Sequence, residues 1–388
     1  METFLRVAAL IVGVLVLAAT AFSLFTALVV PRATSSRAMR AVARSLGRAT
    51  RRLLPHLPSY EVRDRVMAFV GPVAMIMLFV VWLISIVLGF GLIMWWSSGE
   101  SLDSAFQIAG SSVFTLGIVS SPGSGSRSIE IIAAGVGLLV VALEIAYLPA
   151  LYAAFSTRET QVTLLATRAG TPAWGPEILA RHRVLDSLNE LPPLYIDWER
   201  WAAAVSESHT NYPALIWFRS PVSSRSWLLS LVAIMDSAAL YHSVSPSQTP
   251  RQARLCLAMG TNCLRSMAGV LKIPFDPDPI PTAGTRLTKE EFAQGFQRLQ
   301  EVRFPLERDL NDAWRHFQGW RINYESIVDG LTSLIMPPPA PWLLPRPGLG
   351  TIERPALRNR TPDDPEGNQP FLSGITVTTP AGGDAKGR

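Results

Sequence analysis

Residues 97–128 read SSGESLDSAFQIAGSSVFTLGIVSSPGSGSRS. This stretch decides the fold, because it joins two apolar runs and is not an ordinary polar connection. Ser101 is placed to cap a helix, and Asp103 favours that helix's first turn. Leu102 to Phe114 then reads as a short, weakly polar helix of about three turns. Thr115, Leu116, Gly117, Ile118, Val119 and Ser120 follow, and Ser121, Pro122 and Gly123 make a turn. The order is therefore span, short apolar helix, Thr-x-Gly segment, turn, span. Irregular backbone at membrane depth is tolerated only where protein or water surrounds it. Extended backbone held there is the arrangement that aims peptide carbonyls at an ion.

The run before this stretch extends from Val66 to Gly99 and is flanked by Arg65 and Glu100. About 20 residues cross a bilayer, so it spans with tilt or projects past the headgroups. Trp95 and Trp96 suit an interfacial belt. The run after it, Ile131 to Phe155, holds a single charge, Glu144. A third uncharged run, Val7 to Val30, is 24 residues long. The apolar part of a secretory signal is about 7–15 residues, and no small-residue cleavage site ends this one, so a retained helix is expected.

The composition agrees. Of 388 residues, 48% are hydrophobic and 17% charged, against about 25% charged in soluble domains. The deficit lies in the first 160 residues, which excludes a simple cytosolic enzyme. Nine arginines stand between Val30 and Val66: Arg32, Arg37, Arg40, Arg44, Arg48, Arg51, Arg52, Arg63 and Arg65. The stretch from Ser97 to Glu130 has Arg127 alone. By the positive-inside rule the first loop is cytoplasmic and the second faces outward. The expected location is the cell membrane, multi-pass, with the N-terminus outside and the C-terminal part cytoplasmic. The arginine loop holds this topology, and basic juxtamembrane clusters also bind anionic lipids. The net charge of +5 is assigned to membrane orientation, and no nucleic-acid partner is expected.

Residues 66–159 resemble the two-helix pore domain of the potassium channel family. Thr115, Leu116 and Gly117 match the Thr-Val-Gly start of that family's filter. Phe155, Arg158 and Glu159 resemble the Phe-x-x-Arg-Glu that follows its inner helix. Gly135 and Gly137 lie near the position of its hinge glycine. The whole chain also resembles divergent actinobacterial membrane proteins with a degenerate filter. The resemblance implies a homotetramer that conducts a monovalent cation, potassium in that family, past Thr115, Leu116, Gly117 and Ile118, with Gly135 and Gly137 as gating hinges. It departs after Gly117. The family continues with Tyr-Gly-Asp, whereas this chain has Ile118, Val119 and Ser120. A β-branched residue strongly avoids the backbone angle of the family's second glycine, so potassium selectivity does not carry over. Glu144 joins the expected ion pathway on its own account. Intramembrane carboxylates are costly and face either a polar partner or a water-filled cavity.

The remainder reads as helical. Trp198, Trp201, Ala202 and Val205 recur at helical spacing. Ser226 to Tyr241 has the length of a core helix rather than of a fourth span. Thr288 to Glu291 form a capping box. Cys256 and Cys263 are too far apart on one helix for a bridge and read as buried thiols. Arg219, Arg225, Arg251 and Arg254 are either an anion site or, more simply, a solvated face. His182, His209, His242 and His316 are scattered, and no glycine-rich phosphate loop is present. No metal site, cofactor or enzymatic activity is therefore expected. From Pro337 onward, eleven prolines and seven glycines fall in 52 residues. Such a segment buries too little to offset its ordering entropy.

The expected fold is an all-α membrane protein. Its parts are an N-terminal transmembrane helix (1–30), a basic loop (31–65) and a potassium-channel-like pore domain (66–159). That domain has spans 67–97 and 130–155 and a re-entrant pore helix and filter over 102–120. A helical cytoplasmic domain (160–336) and a disordered tail (337–388) complete the chain. Membrane lipids, a cation and further copies of the chain are the expected partners. The competing reading is a non-conducting membrane scaffold or sensor whose working part is the helical domain.

Overall fold

The computed structural model describes residues 1–28, 54–121, 123–280 and 285–343, together with Ser45, Thr50 and Arg52. Most of the basic loop and the tail beyond Leu343 lie outside the described residues. Among the described residues the chain is helical and has no strand. Four helices among the described residues are long and apolar enough to cross a membrane. The chain divides into two units: residues 1–155 with 210–218, and residues 156–209 with 219–388.

The first unit opens with α1 (Glu2–Leu28). A short helix, α2 (Tyr60–Ala68), is capped by Ser59, whose side chain accepts from the Val62 amide. It leads through Phe69 into α3 (Val70–Ser98). Pro72 explains the joint, since it cannot donate to the Ala68 carbonyl and its ring crowds that oxygen. The expected second span thus begins a few residues later than its apolar run. Helices α1 and α3 lie antiparallel and meet through glycines. A Cβ on Gly13 would stand 2.7 Å from the Gly89 carbonyl oxygen, and one on Gly89 2.6 Å from the Leu17 side chain. Small residues let apolar helices approach this closely. The Trp82 indole donates to Ser23 Oγ at 3.1 Å at one end of the pair. At the other end the Arg6 guanidinium donates to the Trp95 carbonyl (3.1 Å) and the Gly99 carbonyl (3.2 Å). Arg6 thereby supplies donors to the last carbonyls of α3, which have no partner within the helix.

Helix α4 (Leu102–Val113) runs back along α3 and buries Ala105, Ile108, Ala109 and Val113 against Trp82, Ile86, Phe90 and Met94. Helix α5 (Ser124–Ala169) is unbroken despite Pro149 and passes beyond the expected end of the third span. Its residues Ala133, Gly137, Val140, Glu144, Tyr147 and Leu151 fall at alternating spacings of four and three. They therefore form one stripe.

The second unit is built around α8 (Trp227–Val244), in which almost every residue is buried. A helix that is apolar all round belongs inside a bundle or a membrane. Here it is enclosed by α6 (Gly175–Val184), α9 (Arg251–Leu271) and α11 (Leu310–Ile335). This helix is both buried within its unit and one of the four long and apolar enough to cross a membrane. Gly175 and Gly260 permit the approach, each lying where a Cβ would press on Asp236 or Met235. Helix α7 (Leu191–Asn211) buries Tyr195, Trp198, Trp201 and Val205. The capping box of α10 (Lys289–Glu301) is present as expected at Thr288 and Glu291. Both cysteines are free and buried, and burial pushes the Cys263 thiol up to about 12.

Residues beyond the expected boundary at 336 pack on the helical unit. Trp342 packs on Phe292, Phe317 and Trp174, and its indole donates to the Glu291 carbonyl at 2.9 Å. Gly295 makes the room, because a Cβ there would stand 2.4 Å from the Trp342 ring.

Buried charge in this unit is paired. Asp236 accepts from Arg321 and, at 2.7 Å, from the Tyr324 hydroxyl. Glu177 receives Arg181 and Arg298, each at 2.9 Å. The four arginines expected as one face go separate ways. Arg219 donates to the Ile335 and Met336 carbonyls, Arg225 to Thr163, and Arg254 lies over Trp320. Arg251 is exposed at the start of α9.

Candidate functional site

The site is built at the two ends of α4. At its start Ser101 caps the helix, accepting from the Ser104 amide at 3.2 Å, and Gln107 donates to Asp103 at 2.9 Å. The buried residues at positions 105, 108 and 109 lie on one face. That face is held close to α3 by Gly91, where a Cβ would meet the Phe106 ring at 2.5 Å.

The far end of α4 is a cap rather than extended chain. The Thr115 amide donates to the Ser112 carbonyl (2.9 Å) and the Leu116 amide to the Ser111 carbonyl (2.8 Å). Thr115 itself is left-handed, with φ +52°. These bonds and that angle make a Schellman motif with threonine where glycine is usual. Gly117 is also left-handed, at φ +66°. The amides of Ile118 and Val119 then converge on one acceptor, Ser111 Oγ, at 3.0 and 3.2 Å. The Ser121 amide donates to Glu130 Oε1 at 2.8 Å. Ser111 is buried at the end of α4 and Glu130 sits on α5, so the return loop is fastened at both ends.

Thr115, Leu116, Gly117 and Ile118 are thus brought together, and all four are exposed on the single chain. Leu116 is 59% and Ile118 75% exposed. The sequence pattern foresees extended backbone here, but the local bonds turn it into a helix terminus. The signal for that was Ser111, a small hydroxyl residue seven positions before Ile118.

Gly137 lies against the end of α4, where a Cβ would stand 2.0 Å from the Val113 carbonyl oxygen. Gly135 faces open space, and α5 is continuous through both. Glu144 lies two turns beyond Gly137 on the same stripe, about 10 Å along the axis. Its Oε1 is buried and accepts no hydrogen bond from the described residues. The exposed stripe of α5 is a different one, carrying Leu138, Ile145 and Tyr152.

A further polar centre of the second unit joins residues far apart in sequence. The fully buried Arg158 pairs with Glu159 at 2.8 Å and donates to His209 Nε2 at 3.0 Å. Burial first, and the Arg158 charge second, hold the His209 imidazole well below its usual range, so it is neutral. Among the described residues no group of three or more His, Cys, Asp or Glu side chains is placed to hold a metal. Comparison with protein-family models, curated proteins and solved structures gives no match for this chain.

Proposed function

We propose that this chain is a channel-like integral membrane protein that passes a monovalent cation through a pore shared by several copies. The observation that carries the reading is the return path of α4. The helix descends from Ser101 along α3, ends where Val113 meets Gly137, and the chain climbs back from Phe114 to the start of α5. Gly137 is thirteen residues into α5, or about 20 Å along its axis. A loop of irregular backbone at that depth is compatible with lipid only if protein or water covers it. The exposure of Thr115–Ser120 on a single chain favours further copies around a common axis, as cyclic symmetry provides. Four copies, Gly135 and Gly137 as hinges and Glu144 as a cation-attracting group follow from the family resemblance and from the cost of an intramembrane carboxylate.

The alternative, a non-conducting scaffold or sensor, is favoured by the Schellman cap. The Ile118 and Val119 amides are already committed to Ser111, and the well-packed helical unit stands ready as the working part. Purified protein in planar bilayers separates the two. Cation current that is lost in Gly117→Val, where valine cannot hold the left-handed backbone, supports conduction. Silence at all voltages and salts, or a monomer when stoichiometry is imaged in lipid, sinks it.

A further inference from the structure

The chain between α7 and α8 does something its sequence conceals. Residues 210–218 interrupt the second unit and belong to the first. They form a short 3-10 segment, Pro213–Trp217, between two aromatic residues. Tyr212 sets its ring edge-on against Tyr147 at 5.3 Å. Leu215 is wholly buried with Met75 and Leu151. Phe218 packs on Phe155 at 5.7 Å and fills the space beside Gly71, where a Cβ would stand 2.6 Å from its ring.

The contacted residues form two stripes, each spaced by four. On α3 they are Gly71 and Met75, with Phe79 next in line. On α5 they are Tyr147, Leu151 and Phe155. Residues four apart share a helix face, so the segment fills one groove between α3 and α5. Tyr147 meets Phe79 in turn at 6.3 Å, which closes the groove on its far side. This end of the helix pair is the one remote from α4.

The residues that flank the segment in sequence are held within their own unit. His209, the residue before it, is fully buried and bonded to Arg158. Arg219, the residue after it, donates to the Ile335 carbonyl (2.7 Å) and the Met336 carbonyl (3.1 Å) at the end of α11. Nine residues lie between these two anchors.

We propose that residues 210–218 are a brace that sets the separation of α3 and α5 at this end. The inference needs the spans but not conduction, so a chain that passes no ion would still show it.

The test is a pair of spin labels at the exposed positions Val73 and Ala153, with a reference pair at Trp96 and Arg127, in the full chain in nanodiscs. The native thiols are buried and do not compete for label. Leu215→Ala removes the wedge, and Phe218→Ala empties the space beside Gly71. Both are expected to broaden the Val73–Ala153 distance distribution and shift it to longer values, with the reference pair unchanged. An unchanged Val73–Ala153 distribution in either variant, or an equal change at both pairs, overturns the proposal. Loss of cation current alone would bear on the conduction reading and not on the brace.

Discussion

The Val113 carbonyl oxygen lies 2.0 Å from the point where a Cβ on Gly137 would stand. No side chain fits there without moving either the end of α4 or the axis of α5. Gly135, half a turn away, has open space around it. The two glycines are therefore unequal. Gly135→Ala is expected to be neutral or to stabilise by about 0.5–1 kcal/mol, the usual gain from replacing a helical glycine. Gly137→Ala is expected to cost about 1–3 kcal/mol through overpacking. Thermal unfolding of the two variants in one detergent checks the contrast, and equal melting temperatures would refute it.

Ser111 gives a sharper test of the return loop. Its hydroxyl oxygen is the shared acceptor for the amides of Ile118 and Val119. Ser111→Ala leaves both donors without it, at a cost of about 1–3 kcal/mol if they stay shielded from water. Hydrogen exchange at Ile118 and Val119 should then quicken about tenfold, since 1.4 kcal/mol corresponds to that factor. Exchange at Ala105, further up α4, should not change.

The buried Arg321–Asp236 pair is expected to respond asymmetrically. Arg321→Met leaves the Asp236 carboxylate buried without its countercharge, with only the Tyr324 hydroxyl remaining. Breaking one partner of such a pair costs about 3–5 kcal/mol, whereas replacing both with apolar residues of similar volume is often neutral. The double variant Arg321→Met with Asp236→Leu should therefore recover much of the stability lost by the single change. Denaturant titration of both reads the difference, and a double variant no better than the single one would count against the pairing.

Stability should fall on mild acidification. His209 is held well below its ordinary value near 6.5, chiefly by burial and then by Arg158, and burial lowers His182 and His242 in the same direction. The unfolded chain therefore binds protons below about pH 6.5 that the folded chain does not. The contribution of these groups is full above that pH and is lost as pH falls below it. Each contributes a slope of up to about 1.4 kcal/mol per pH unit. Melting temperatures from pH 7.5 to 5 should drop, and less steeply in His209→Gln. A profile as steep as the parent's would show that His209 is not the group responsible.

Much of the architecture was legible because it rests on local signals. Apolar run length marked α1, α3 and α5, and hydroxyl residues marked the starts of α4 and α10. The length of 226–241 did not decide between a core helix and a span, since the helix runs to 18 residues. What escaped reading depends on partners distant in sequence. Nothing near Tyr212 or Leu215 announces that Tyr147 and Met75 will receive them. Arg158 and His209 meet across 51 positions. The slot that receives Trp342 escaped reading because Gly295, which makes it, stands in another helix. The Thr115 turn was hidden for a different reason. Threonine is a poor left-handed residue, and only the hydrogen bonds around Ser111 hold it there.

The grip of Arg6 on the end of α3 bears on how the chain assembles. The ribosome delivers the amino-terminal segment first, so its guanidinium is already in place when residues 95–99 emerge. The newly made helix meets a waiting donor for its last carbonyls and the Gly13–Gly89 notch that fixes its register. Order of birth along the polypeptide, and not only final energy, then favours the native pairing of these two segments.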